Sequence, residues 1–527
     1  MFARSLWGAH PGLPSLEQLL LEGGDARIAL DQSSGLNKYA CQSFPDPDLA
    51  AFGSSTASTI SEAGFSAASG LRDKLLLVVD VEQHAVVYAR ELNRIRQELV
   101  RLCGVSDLPG LNVIFAPSGT DIHLIAAQLA GGTEAAPTLA VMVEAAETGS
   151  GVGAALSGHH FSARAALGGA VIEGTPIGGG VVCEAVTVPI RLADGTPRQS
   201  AAVDTEVEAL VAGAIAKGRR VLLTLVDVSK TGLIAPSPAC VLALHHRFPD
   251  RVDVLVDACQ FRIAPPTLRA YLEQGFMVAL TGSKFVTGPT FSGALLIPSP
   301  AAQRLRQRSL PHALSAYSAR ADWPQGWDTD DALDDVANFG LLLRWEAALA
   351  DLRAFRSLPE AAVMNFVQTF AQAVQNRLMS DPVFEPLPVP RLDRIPLIEA
   401  TGWDHIQTIF PFLLHHSEDE DKTLLSREET EQVYRLLQAD LTDSYGLDCQ
   451  ASSNNAAALR CQLGQPISCG SRDGLPVSAL RLCVSARLVV EATSGDGRHA
   501  SDVIERALAA LDKTALLVRA GRQLRTP

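Results

Sequence analysis

Between residues 105 and 298 short apolar runs alternate with helical segments. The runs are LNVIFA, PTLAVMVEAAE, VLLTLVD, VDVLVD, FMVAL and GALLIP. Their order reads strand, helix, strand, insertion, helix, strand, helix, strand, helix, strand, strand. Such alternation predicts an α/β fold, a mostly parallel sheet with helices on both faces. Ligands of such sheets bind beyond the carboxyl ends of the strands. Ser118 to Thr120, Ser229, Asp257 and Thr281 to Lys284 all fall at those ends.

Asp257 closes one apolar strand, and Lys284 closes the polar turn TGSK after the next. A strand-end lysine can form a Schiff base with an aldehyde cofactor. Pyridoxal phosphate needs that lysine, an acid to keep its ring nitrogen protonated, and a phosphate cradle. The plain alternative is a lysine and an aspartate on the rim of any α/β sheet. The turn PSGTD runs from a strand into a helix. Its free amides and the helix dipole suit a phosphate, which makes Gly119 and Thr120 the candidate donors. The plain alternative there is an ordinary helix cap, with Asp121 in the first turn. The chain has seven lysines, and only Lys230 and Lys284 sit at strand ends. Lys230 is expected to be a solvated loop residue.

VDACQ, followed by TGSKFVTGP and SGALL, resembles the class V aminotransferase group of fold-type I pyridoxal-phosphate enzymes, to which the cysteine desulfurases belong. The resemblance covers roughly residues 70–300 and 455–520. It implies that Lys284 carries the aldehyde, that Asp257 pairs with the pyridine nitrogen and that Gln260 contacts the ring's phenolic oxygen. It also implies that Gly119, Thr120, Thr281 and Ser283 contact the phosphate, that Ser229 touches the ring oxygen and that Asp227 helps orient the site. Arg481, on a strand of the C-terminal part, matches the family's substrate-carboxylate arginine, with Arg487 second. Guanidinium suits that role because it binds carboxylate bidentately. The chain departs from the family at Ser283, where the desulfurases usually have His, and by one extra residue before Gly288. Aligned on Gln465–Pro466, the desulfurase cysteine's place holds Leu463, which argues against persulfide chemistry. No residue aligns with the family's ring-stacking position; Glu147 and Thr148 stand at that strand end.

The function so implied is a pyridoxal-phosphate-dependent enzyme acting on an amino acid or amine. An aminotransferase comes first, and a β-eliminating or C–S lyase is the alternative. An inactive scaffold of the same fold is a third reading. The expected organisation is an N-terminal arm at 1–70, a cofactor-binding large domain at 71–340 and a small α+β domain at 341–527. In the resembled enzymes such an arm lies over the substrate entrance, which brings in Asn37, Lys38 and Tyr39.

A net charge of −14 makes nucleic acid and anionic membranes poor partners. Nine cysteines without a CxxC pair argue against a zinc site or a disulfide framework and suit a reducing cytoplasm. A homodimer is expected from the resemblance. Apolar spacing predicts one long helix over 71–103, a β-rich insertion over 165–200 and a solvated acidic loop at 417–422.

Overall fold

The computed structural model describes residues 13–133, 135–178, 183–306, 308–329, 331–399, 401–416, 423–442, 456–494 and 498–521. The expected acidic loop at 417–422 lies outside them. The strands are β1 (Ala50–Phe52), β2 (Asn112–Ala116), β3 (Thr138–Val143), β4 (Cys183–Val188), β5 (Val221–Asp227), β6 (Ile234–Ala235), β7 (Val252–Asp257), β8 (Met277–Thr281), β9 (Gly293–Ile297), β10 (Phe384–Pro386), β11 (Ile409–Leu414), β12 (Cys461–Arg472) and β13 (Leu475–Cys483). The helices used below are α1 (Leu16–Leu20), α2 (Glu62–Leu76), α3 (His84–Leu102), α4 (Gly119–Ala130) and α5 (Phe339–Arg356).

Two sheets form among the described residues. The larger runs β2-β9-β8-β7-β5-β3-β4, with β6 beside β5. The β3–β4, β3–β5, β5–β7 and β7–β8 pairs are parallel, and β9 runs antiparallel to both β2 and β8. So β2, β3, β4, β5, β7 and β8 share one direction, and their carboxyl ends share one rim. This is the mostly parallel α/β sheet that the alternation predicts. Val254 and Val256 of β7 join one core cluster and Leu255 the other, as period-2 alternation requires of a strand buried on both faces. The 165–200 insertion does more than turn: it supplies β4, an edge strand of the main sheet.

The expected helix over 71–103 is two helices, α2 and α3, separated at residues 77–83. The connector holds Val78, Val79 and Val81, whose branched side chains propagate a helix poorly. Leu77 and Val81 are left about four-fifths exposed there, so no packed face rewards continuing the helix.

The second sheet runs β1-β12-β13-β11-β10. Its edge, β1, comes from residue 50, inside the expected arm, and pairs in parallel with β12. Farther upstream the arm is fastened to α5. Buried Arg344 donates to the carbonyls of Leu20, Glu22 and Gly23 at the end of α1. No described helix is long and apolar enough to cross a membrane.

Candidate active site

The rim of the main sheet opens into a cavity of about 210 Å³. Lys284, Ser283 and Thr281 line it from the end of β8, Ser118 and Gly119 from the start of α4, and Arg481 from β13. Lys38, Tyr39 and Arg27 reach it from the arm, and Gln465 and Pro466 from β12. Among the described residues five cationic side chains face this space and no carboxylate does.

The lysine turn is held by close packing. The Gly282 amide donates to the Ser292 carbonyl at 2.8 Å and the Gly288 amide to the Gly282 carbonyl at 2.9 Å. A Cβ at either glycine would come within 2.6 Å of the Ala348 side chain on α5. Glycine is required there because α5 presses directly on the turn. Ser58, from the arm, donates its hydroxyl to the Lys284 carbonyl at 3.0 Å.

Asp257 sits at the end of β7, in register with Ala279 of β8. It is buried and does not itself line the cavity. One carboxylate oxygen accepts from the Cys259 amide at 3.1 Å. The other lies 3.4 Å from Nε2 of His123, a residue of α4 that the sequence reading did not single out. His123 Nδ1 is 2.7 Å from the Gly119 carbonyl oxygen, so Nδ1 must carry a proton. Nε2 facing a carboxylate then favours a second proton. Burial alone would lower the His123 pKa, but the Asp257 charge outweighs it and raises it. Burial alone would raise Asp257; His123, with Lys284, outweighs that and holds it well below the usual carboxylate range. Asp257 is therefore held as an anion, and its charge favours the protonated form of the His123 ring behind it. The periodicity of α4 gave no sign of this, since His123 reads as one more core position.

At the start of α4, Ser118 is the N-cap and forms a capping box with Asp121. The Gly119 and Thr120 amides have no acceptor among the described residues. A Cβ at Gly119 would meet Cys259 Sγ at 2.9 Å, so the loop needs glycine to lie against the Asp257 turn. The Thr120 side chain does not line the cavity: its hydroxyl accepts from Arg27 at 3.1 Å. Arg27 also donates to Ser118 Oγ at 3.1 Å and is held by Asp25 at 2.6 Å. Its guanidinium lies 5.0 Å from the centroid of the Phe291 ring. Arg27 is thus a cation set at the mouth of the α4 turn, missed in the sequence because it sits in an irregular segment far from any motif. Lys38 and Tyr39 do reach the cavity; Asn37 is buried beside them and bonds Thr290 at 3.2 Å.

Several expected contacts point elsewhere. Ser229 gives its hydroxyl to Glu147 at 2.7 Å and does not line the cavity. Gln260 donates to the Ser55 carbonyl at 2.9 Å, and its Oε1 is buried without a partner. Asp227 pairs with Arg394 at 2.7 Å rather than facing the site. Thr281 lines the cavity while donating to the Cys259 carbonyl at 2.6 Å. Arg487 also lies away from the cavity, near Asp351.

Lys230, expected in solvent, lines the cavity instead. Glu147 explains why. It ion-pairs with Arg191 at 2.5 Å and accepts from Ser229 and Thr231 at 2.7 Å each, on either side of Lys230. The Lys230 amide itself donates to the Glu147 carbonyl at 2.9 Å. This clasp draws the turn inward and leaves the lysine side chain only one direction.

Arg481 is 1% exposed. Its guanidinium donates to Thr56 Oγ1 at 2.8 Å, to Ser55 Oγ at 3.3 Å and to the Gln465 carbonyl. All are neutral acceptors, and Arg481 has no carboxylate partner among the described residues. Leu463, next to Gly464, the register partner of Arg481, is buried in β12 opposite Phe52. The described cysteines are all buried and none lines the cavity.

These groups fit a phosphorylated aldehyde: a strand-end amine, an anion locked in its charged form, and a helix start with free amides. No group of three or more metal-ligating side chains is assembled among the described residues.

No family model matches the chain, and no curated protein matches it. Among solved structures it is similar to a cystine C–S lyase complexed with its product cysteine persulfide, at 14% identity over 88% of this chain and 98% of that one, TM-score 0.49. It is similar to the tryptophan decarboxylase of Catharanthus roseus at 14% identity over 89% and 84%, TM-score 0.48. A cysteine desulfurase from Escherichia coli aligns at 14% identity over 89% and 95%, TM-score 0.47. At such identities the chemistry of this chain is read from its own residues.

Proposed function

We propose that the chain is a pyridoxal-phosphate-dependent enzyme of the class V aminotransferase type, acting on an amino acid. One observation carries the reading. Lys284 and the locked Asp257 anion stand at adjacent strand ends, beside a cavity with five cations and no carboxylate among the described residues. When bound, the cofactor supplies an electron sink that weakens the bonds at an amino acid's α-carbon. Lys284 would hold the aldehyde, and its Nζ would take and return the α-proton of the substrate. Asp257, kept anionic by His123, holds the ring nitrogen protonated. The free amides of Gly119 and Thr120, with Ser283, bind the phosphate. Arg481 exchanges its neutral acceptors for the substrate α-carboxylate.

Transamination is the proposed reaction, and β-elimination the second reading. The experiment is an absorption spectrum of protein incubated with pyridoxal phosphate, before and after borohydride, followed by peptide mapping. Label fixed at Lys284 supports the proposal. Label at Lys230 would move the anchor to the other lysine of the cavity, and no label would defeat the reading. Dependence of turnover on a keto-acid acceptor marks a transaminase, whereas release of pyruvate and ammonia from cysteine-like substrates marks a lyase. The homodimer expected from the resemblance stays part of the proposal, tested by light scattering.

A further inference from the structure

The cavity holds more positive charge than one α-carboxylate and one phosphate require. Lys230 is the surplus. Its ammonium has no hydrogen-bonding or ionic partner among the described residues, and it faces the same space as Arg481 and Lys284. The two nearby carboxylates are committed elsewhere. Glu147 is tied to Arg191 at 2.5 Å, and Asp257 stands against His123 at 3.4 Å. The turn that carries Lys230 is held in place, because the residues on both sides of it are bonded to Glu147. Thr148 Oγ1, in the same lining, is buried with no hydrogen-bond partner. A half-buried cation with like charges beside it costs free energy that a bound anion returns. The α4 end of the cavity, with its free amides, already suits the phosphate. With the phosphate placed there, Lys230 shares the remaining lining with Arg481 and Thr148.

We propose that the substrate is an amino acid with a second acidic group on its side chain, the α-carboxylate bound by Arg481 and the distal group bound by Lys230 and Thr148. This rests on the reading of the cavity as an amino-acid site of a pyridoxal-phosphate enzyme. Lys38, exposed at the mouth, adds attraction for such a dianion.

The proton balance of Lys230 gives the proposal a second signature. Burial, with Arg481 and Lys284, pushes its pKa down to about 7, against upward pulls from Glu147 and Asp257. Arg27, Lys38 and Tyr39 are the other titratable groups lining the cavity. A bound anion raises the Lys230 pKa. Its contribution to affinity is complete below about pH 7 and fades as pH climbs toward the bound-state value.

The test is calorimetric titration of the cofactor-loaded protein with glutarate and with butyrate; glutarate is butyrate with a second carboxylate on its far carbon, and neither has a reactive amine. It is run on wild type, Lys230→Met and Lys230→Arg, each checked for an unchanged melting temperature. Glutarate should bind wild type roughly ten- to a hundredfold more tightly than butyrate, the range of a charge-assisted hydrogen bond. The preference should vanish in Lys230→Met, persist in Lys230→Arg and shrink above pH 7 in wild type. A loaded protein without the preference, or one that keeps it in Lys230→Met, overturns the proposal and leaves the cofactor reading standing. A protein that takes up no pyridoxal phosphate overturns both.

Discussion

The molecule buries cations in two ways. Arg394 and Asp227 are both fully buried and form a bidentate pair, with 2.7 Å contacts to both carboxylate oxygens. Tyr271 donates to the same carboxylate at 2.7 Å, and the Asp404 carbonyl takes a further guanidinium N–H at 2.9 Å. Three residues beyond Asp227 the chain lines the cavity with Lys230, where Lys230, Lys284 and Arg481 have no carboxylate partner among the described residues. The closed pair spends its electrostatic energy on holding the Pro-rich segment 386–396 to the end of β5. The open group keeps that energy for a ligand. The same charge is structural in one place and receptive in the other, and the difference lies in whether a carboxylate arrives with it.

The largest effect should come from the open group. Lys284→Ala should lose the borohydride-fixed label and at least roughly 10²- to 10⁴-fold in turnover, the span of a missing general acid–base group. Retained turnover in that variant would break the contrast at its centre. On the closed side, Asp227→Asn leaves Arg394 buried without a charge partner and should cost about 3–5 kcal/mol in urea unfolding. Lys230→Met should cost almost nothing by the same measurement, because it removes a half-buried charge that has no partner. Equal losses in the two variants would show the cavity lysine to be structural. Arg481→Met should weaken binding of amino acids roughly ten- to a hundredfold while sparing the corresponding amines that lack a carboxylate. Equal weakening of both would remove Arg481 from carboxylate recognition.

The smallest effect concerns the intermediate case, His123 with Asp257. The folded-state pKa of His123 is raised, so its share of stability is complete below the unfolded value of about 6.5 and is lost as pH rises through the folded value. The stability gap between wild type and His123→Asn should therefore narrow as pH rises from 6 to 9. Urea unfolding across that range checks it; a constant or widening gap would mean that the imidazole is neutral throughout.

The strand-end pair of Asp257 and Lys284 was legible in the sequence because a strand end is marked by its own neighbours. VDVLVD and FMVALTGSK carry their burial and their stopping points within a few residues, so Asp257 and Lys284 could be placed on one rim without knowing the pairing. Ser229 and Lys230 were not legible in that way. They are adjacent in a turn, and which of them faces the cavity depends on Glu147 and Arg191, 82 and 38 residues from the nearer of the two. The sequence reading gave Ser229 the site and Lys230 the solvent; the clasp on Glu147 turns them the other way. His123 was hidden because a helix buried on all sides has no polar face to make a histidine conspicuous. The break between α2 and α3 was hidden because apolar spacing continues through the connector, and only the absence of a packing partner for Leu77 and Val81 ends the helix.

By itself, then, the sequence determined the strand–helix alternation, the direction of the sheet and the rim on which chemistry-bearing residues collect. All three follow from periodicities of two and 3.6 that are read locally. The tertiary structure decided which rim residues face the cavity, that Asp257 is held as an anion against the His123 ring, and that Arg27 and Lys230 join the cations there. Those outcomes depend on partners brought together across tens to hundreds of residues, and no local pattern encodes them.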